Sequence, residues 1–405
     1  MSAAGLAYSD RAGRVYFDDG QRALADGGEI RLVHDDELIP APPGTLMTLL
    51  PGRAPLVDGG RTANRRTAVA ALLPAGFTRL LLPAYRRRRD APALPLFGYT
   101  FAGVRDDVLV VAATRTDAGE DWGPRTFAAG ELDALVAARR AHDPHNAVLG
   151  QLGLCAVDYA CFTAQNVFLV RGEAALPVSP ACNARCVGCI SEQEPDAGVP
   201  SPQARIREAA SADELARVAL FHLERVPAGI VSFGQGCEGE PLLRSTTIAR
   251  AIERIRARAA SGTINLNTNG SLPRSLERLI DAGLDAVRIS LNSFRPPTYA
   301  AYYRPLGYGL DDVFESVRLA GERGLRVSLN LLTHPGVTDD AEELAAAEAF
   351  LRDARISMIQ TRTLNIDPER YFALVGRPQR TLGMRHSLER LASHGARLGN
   401  FTHAH

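Results

Sequence analysis

No apolar run in this 405-residue chain approaches the roughly 20 residues that cross a bilayer. Its first stretch, MSAAGLAYSDRAGRVYFDDG, lacks a charged-then-apolar signal pattern. An excess of charge of either sign is also missing, because 46 Lys and Arg balance 46 Asp and Glu. Nothing global points to nucleic acid or an anionic membrane as partner. The expectation is a soluble, cytoplasmic protein with no membrane association and no general nucleic-acid signature. The run Arg86–Arg89 beside Asp90 reads as a solvated loop. Cysteine is scarce, six in all, which excludes a disulfide scaffold in a chain of this length. Long Gly or Pro tracts are absent, which excludes fibrous and low-complexity classes. What remains is a globular chain longer than one core usually serves, so two domains are expected.

The two halves read differently. Residues 1–150 show short β-leaning pieces such as RVYF, EIRLVHDDELIP, ALPLFGYTFAG and DDVLVVAATRT, separated by Pro and Gly. One helix is expected over 128–142, with Leu132, Leu135 and Val136 on one face. This half is read as a mainly-β α+β domain of unknown role, followed by a linker or strand region over 151–173. From about 174 short apolar strands alternate with amphipathic helices, the pattern of parallel β/α units. Six strands are expected: AALPVSP, GIVSFGQG, TINLNTNG, AVRISLNS, RVSLNLLTH and ISMIQTRTLN. Ser211 and Glu214 form a capping box for the first intervening helix. Pro273 starts a later helix and Gly283 stops it. Residues 366–405 are expected to be a helical extension. Six units are too few for a closed eight-strand barrel, leaving a partial barrel or an open doubly wound sheet.

Either architecture binds ligands at the carboxyl ends of its strands. The unusual polar residues sit there. Strand one runs into Cys182, Cys186 and Cys189, and strand two into Gly239, Glu240 and Pro241. Strand three ends in Asn267-Thr268-Asn269-Gly270, and strand four in Ser290 and Asn292. Strand five carries Asn330 and runs to His334, and strand six carries Gln360, Arg362 and Asn365. Taken singly, each has a plain structural reading: Asn-Gly is a turn, His334 a surface histidine in a turn, Arg362 a surface charge. The cysteine triplet, spaced C-x3-C-x2-C, is different, because structural cysteines occur singly. A structural zinc site wants four protein ligands, usually as two separated pairs, and no second C-x2-C follows. All-thiolate ligation favours an iron–sulfur cluster, with three cysteines leaving one iron open to a small molecule.

C-x3-C-x2-C after the first strand of a β/α domain resembles the radical S-adenosylmethionine (radical SAM) superfamily, nearest to its molybdenum-cofactor-cyclase-like branch. The resemblance covers about 174–365. It implies an α/β fold, a partial (β/α)6 barrel, preceded here by the mainly-β α+β N-terminal domain. It implies a 4Fe–4S cluster on Cys182, Cys186 and Cys189, with S-adenosyl-L-methionine (SAM) on the fourth iron. By position, Gly239-Glu240-Pro241 is similar to the motif at the SAM amino group, and Thr268-Asn269-Gly270 to the segment near its ribose and carboxylate. Ser290 would contact SAM, Asn292 lies in the same segment, Asn330 would face SAM, and Arg304 would pair with its carboxylate. Two departures stand out. Gly188 occupies a usually aromatic position, and Glu238 replaces the first glycine of the strand-two motif. The implied chemistry is reductive cleavage of SAM to methionine and a 5′-deoxyadenosyl radical, which takes a hydrogen atom from an unknown substrate. A small electron donor of flavodoxin or ferredoxin type is the implied partner. Catalytic residues beyond these are not readable. Cys155, Cys161 and Cys237 are read as buried small residues, with an auxiliary cluster as the other reading. Two other functions stay open: an activase that places a radical on a protein partner, and a zinc-binding interaction protein with Cys237 or His334 as fourth ligand.

Overall fold

The computed structural model describes residues 4–63, 65–117 and 127–400. The amino-terminal half is built of short, mostly antiparallel strands. A nine-stranded sheet centres on Gly5–Ser9, Thr67–Leu72, Ala102–Arg105 and Val108–Arg115. Two three-stranded sheets flank it. Continuous runs of buried residues on these strands supply a separate core, which includes Leu6, Val33, Leu80, Phe101 and Val110. Arg86 to Arg89 stay exposed.

Helices α1 (Glu131–Ala141), α2 (Ala147–Val157) and α3 (Phe162–Leu169) follow. The linker expected over 151–173 is therefore largely helical. The apolar run VLGQLGLCAV has no polar face to advertise a helix, because α2 buries Val148, Leu149, Leu152 and Ala156 together. Asn146 caps it, accepting from the Val148 and Leu149 amides. These residues join the core of the second half, not that of the first.

Seven strands make the second half: β1 (Glu173–Leu176), β2 (Ile230–Phe233), β3 (Thr263–Thr268), β4 (Ala286–Leu291), β5 (Arg326–Thr333), β6 (Met358–Thr363) and β7 (Arg397–Gly399). All pairings are parallel and each strand neighbours the next in sequence. A doubly wound sheet would reverse its order at a switch point. Consecutive order is that of a barrel, and β1 and β7 leave it open. The seventh strand corrects the purely helical reading of 366–405. Its three residues, Arg397 to Gly399, are too short to register as a periodic pattern, and only their pairing with Met358, Ile359 and Gln360 of β6 defines them.

Helices α4 (Ala212–Leu223), α5 (Ser245–Arg256), α6 (Pro273–Asp281), α7 (Pro296–Tyr303), α8 (Leu310–Glu322) and α9 (Ala341–Leu351) connect the first six strands, and α10 (Pro368–Val375) and α11 (Met384–Ala392) lead to β7. Ser211 and Glu214 form the capping box on α4. Among the described residues no single helix is long and apolar enough to cross a membrane.

The two halves are locked by buried polar contacts. Thr78 Oγ1 meets Thr361 Oγ1 on β6 at 2.6 Å. Arg79, fully buried, donates to the Tyr99 and Leu364 carbonyls at 3.2 and 3.0 Å. Arg53, also fully buried, reaches Asp367 at 3.0 Å and Glu369 at 2.8 Å.

Candidate active site

The carboxyl ends of the strands open into a cavity of about 650 Å³. Its size suits a cofactor or a small substrate. Cys182, Cys186 and Cys189 line one side on the loop after β1. That loop is seated by the chain leaving α7. The Arg185 amide donates to the Tyr303 carbonyl at 3.0 Å, Val187 to the Tyr302 carbonyl at 3.0 Å, and Leu306 to the Asn183 carbonyl at 2.8 Å. From the other side, the Gly239 amide donates to the Ser179 carbonyl at 2.6 Å and Glu240 to that of Ala181 at 2.9 Å. So close an approach needs glycine, since a Cβ at 239 would stand 2.0 Å from the Ala181 carbonyl oxygen.

Burial raises the Cys182 thiol to about 11 and lifts Cys186 well above its ordinary value, with the neighbouring thiols adding to the latter. Binding of a metal centre is what deprotonates thiols raised in this way. Arg205 donates to Cys189 Sγ at 3.5 Å, and Ser191 Oγ lies 3.6 Å from the same sulfur. Hydrogen bonds to sulfur are among the levers on an iron–sulfur potential. Among the described residues no three His, Cys, Asp or Glu side chains converge tightly enough to hold one metal ion. A set of three thiolates and no fourth protein ligand fits an iron–sulfur cluster with one open iron better than a four-ligand structural zinc.

The two fourth ligands considered for zinc are also engaged elsewhere. Cys237 is buried and its thiol shares a hydrogen bond with Cys155. His334, expected at the surface, is fully buried. Its Nδ1 lies 2.7 Å from the Pro335 carbonyl, and its ring packs on Tyr371 and Phe372. Strand β5 runs beneath α10, which covers that turn, a packing no local pattern announces. Cys161 stands at the N-cap position of α3, where its side chain makes no capping hydrogen bond.

Glu240 lies opposite the cysteines, 3% exposed. Its Oε1 accepts from the Leu242 amide and the Thr268 hydroxyl, its Oε2 from the Asn269 amide at 2.8 Å. Burial still pushes its pKa up to about 7, so the carboxyl faces the cavity short of positive charge. Glu238, the departure from the family motif, does not line the cavity. It accepts from the Val178, Ser179 and Gln235 amides, each at 2.8 Å, and pins the cysteine loop to the β2 loop.

Of the residues picked from sequence, Gly239, Glu240, Pro241, Thr268, Asn269, Ser290 and Asn330 share this cavity with the three cysteines. Asn330 donates to Ser290 Oγ at 3.1 Å and leaves its Oδ1 unpartnered. Three are not brought there. Gly270 forms the turn after β3, at φ +71°, with its carbonyl bound by Ser316. Asn292 is buried behind the site and donates to the Tyr371 hydroxyl at 3.1 Å. Arg304 is exposed, at φ +45°, and ends α7. Its carbonyl lies 3.4 Å from the Arg185 amide, so it serves the cysteine loop through its backbone. A carboxylate-pairing role for its side chain is not what this placement offers.

Other lining residues escaped the sequence reading. A Cβ at Gly188 would lie 2.7 Å from the Tyr302 hydroxyl. The glycine thus makes room for an aromatic from α7, and Tyr302 and Tyr303 both line the cavity. Leu73, Pro74 and Phe77 of the amino-terminal half and Phe162 of α3 form an apolar wall. Arg288 lies two residues before Ser290, and alternation along β4 was a usable signal for it.

Comparison with known proteins follows the same outline. The sequence profile of the Radical SAM superfamily matches residues 176–347. The chain carries a radical SAM domain. A GTP 3′,8-cyclase of Heliobacterium modesticaldum is 34% identical over 171 residues, 40% of this chain and 46% of that protein. FeMo cofactor biosynthesis protein NifB of Klebsiella pneumoniae is 28% identical over 228 residues, 50% of this chain and 46% of that one. The chain thus spans about half the length of these curated relatives. The crystal structure of a radical SAM methyltransferase from Sphaerobacter thermophilus aligns at TM-score 0.40 and 16% identity, over 56% of this chain and 64% of that one. The amino-terminal half lies outside the radical SAM domain, yet it closes that domain's cavity.

Proposed function

We propose that this chain is a radical SAM enzyme in which Cys182, Cys186 and Cys189 hold a 4Fe–4S cluster and SAM lies between them and Glu240. With both bound, the chemistry supplied is reductive cleavage of SAM to methionine and a 5′-deoxyadenosyl radical, which abstracts hydrogen from a substrate. The observation that carries the reading is the convergence of three neighbouring thiols and the buried Glu240 carboxyl on one cavity at the strand ends.

The chain's own residues prepare this chemistry. Glu240, held by three donors, is oriented to accept a cationic ammonium, whose charge would return it to the ionised form. Ser290 and Asn330 offer a hydroxyl and a free amide oxygen to a ribose. Tyr302 and Tyr303 supply the aromatic surface that the loop itself lacks at Gly188. The apolar wall from the amino-terminal half excludes water from the space beyond. A one-electron donor of flavodoxin or ferredoxin type would serve as redox partner. The cyclase reaction named for the relatives belongs to proteins matched over less than half their length, and is not carried over.

Anaerobic reconstitution with iron and sulfide tests the reading. The expected product is a brown protein that releases 5′-deoxyadenosine from SAM under reduction. Cys186→Ala should lose both iron and that release; retention of both at the unsubstituted level overturns the proposal.

A further inference from the structure

The cavity has a second polar pole that the cluster and SAM leave unused. Arg288 projects from β4 and Arg362 from β6, and both line the cavity. Arg288 is 9% exposed, and its Nη2 has no hydrogen-bond acceptor. Its nearest carboxylate oxygen is Glu173 Oε1 at 3.6 Å, which already accepts from Ser232 Oγ. Arg362 has neither a hydrogen-bond nor an ion-pair partner for its guanidinium among the described residues. Asp117, the other acid whose charge reaches Arg362, accepts from Thr116 Oγ1 and the Asn400 amide.

Two guanidinium groups thus face one cavity with a single carboxylate in ion-pair range, and that of only one of them. A cation shielded from water without a counter-charge is unfavourable and is relieved by an incoming anion. Burial and the charge of Arg288 together draw the Arg362 pKa down to about 10, the sign of a cation lacking an anion. The planar fork of arginine matches carboxylate and phosphate oxygens. The wall of Phe77 and Phe162 offers only apolar contact.

We propose that Arg288 and Arg362 form an oxyanion subsite that receives the carboxylate or phosphate of the substrate, with its apolar portion against Phe77 and Phe162. The proposal rests on the radical SAM reading for the word substrate, but the anion site stands on its own geometry. The anion and SAM are expected to bind together.

Calorimetry on the full chain tests this, with inorganic pyrophosphate and malonate as separate probes at constant ionic strength. One of them should bind at one per chain, pyrophosphate pointing to a phosphate-bearing substrate and malonate to a carboxylate. Arg362→Gln should weaken that binding by about tenfold or more, and Arg362→Lys by less. Arg88→Gln, on the exposed run, should leave it unchanged. Circular dichroism establishes that each variant is folded; should Arg362→Gln fail, Arg362→Lys and Arg288→Gln carry the comparison. The proposal is overturned if neither anion binds, if folded arginine variants bind as the unsubstituted chain does, or if SAM displaces the anion one for one. That last result would assign the pair to the SAM carboxylate. Absence of 5′-deoxyadenosine release from the unsubstituted protein would instead sink the radical SAM reading and leave the anion site intact.

Discussion

Glu240 shows how a single carboxyl is made ready for a cation. Three donors hold it in place while burial keeps its pKa near 7. Glu240→Gln keeps the shape but brings an amide N–H against those donors and removes the charge. SAM binding to the reconstituted protein should weaken by about 1.5–3 kcal/mol, the range for a hydrogen bond to a charged group, measured by calorimetry. Unchanged affinity would remove Glu240 from the SAM site. The residue was readable from its neighbours in Gly239-Glu240-Pro241. Arg304 was not, because sequence names a side chain and cannot say that the chain turns at φ +45° and uses the carbonyl instead.

At the scale of elements, the loops after β1 and β2 hold each other through backbone hydrogen bonds and the Glu238 carboxylate. Gly239→Ala would set a Cβ 2.0 Å from the Ala181 carbonyl oxygen, next to Cys182. Iron content after reconstitution should fall severalfold, while far-UV circular dichroism stays near the unsubstituted spectrum. Full iron loading would show that the loops separate without harm. Two buried carboxyls support the far side of the barrel. Glu343 on α9 accepts from Ser293 Oγ and the Phe294 amide, and Asp339 accepts from the Gly336 amide. Burial raises both to about 7. In the unfolded chain they ionise near 4, so between about pH 4 and 7 the folded state binds more protons. Stability is then present below that window and is lost as pH rises through it. The metal-free protein should melt at higher temperature at pH 5 than at pH 8, and Glu343→Gln should flatten that slope. A profile that rises with pH instead would contradict the assignment.

Across the whole molecule, the amino-terminal half acts as a wall of the barrel. It joins through groups too costly to leave alone. Arg53 is fully buried between Asp367 and Glu369 and also donates to the Pro51 and Pro92 carbonyls. Arg53→Ala leaves the buried Asp367 without its cation, while Glu369 keeps Arg87 at 3.6 Å, a loss of about 3–5 kcal/mol. Urea unfolding should show the midpoint fall accordingly, and limited proteolysis should begin to separate the halves. A midpoint within error of the unsubstituted protein would mean that the contact adds nothing.

The order of strands and helices from 174 to 365 was legible because each unit buries one apolar face locally, and period alone reveals it. Cys182, Cys186 and Cys189 were legible for a related reason: three thiols within eight positions have few other uses. Only the tertiary structure decided three further matters. It chose barrel order over a doubly wound sheet, since pairing between strands is not written in any one strand. It added β7 and gave α2 and α3 to the barrel core, where uniformly apolar or very short segments carry no period. It drew Phe77, Tyr302 and Arg288 into one cavity with the strand-end residues, because burial of charge and closing of a space are properties of what surrounds a residue, and sequence neighbours are a small part of that surrounding.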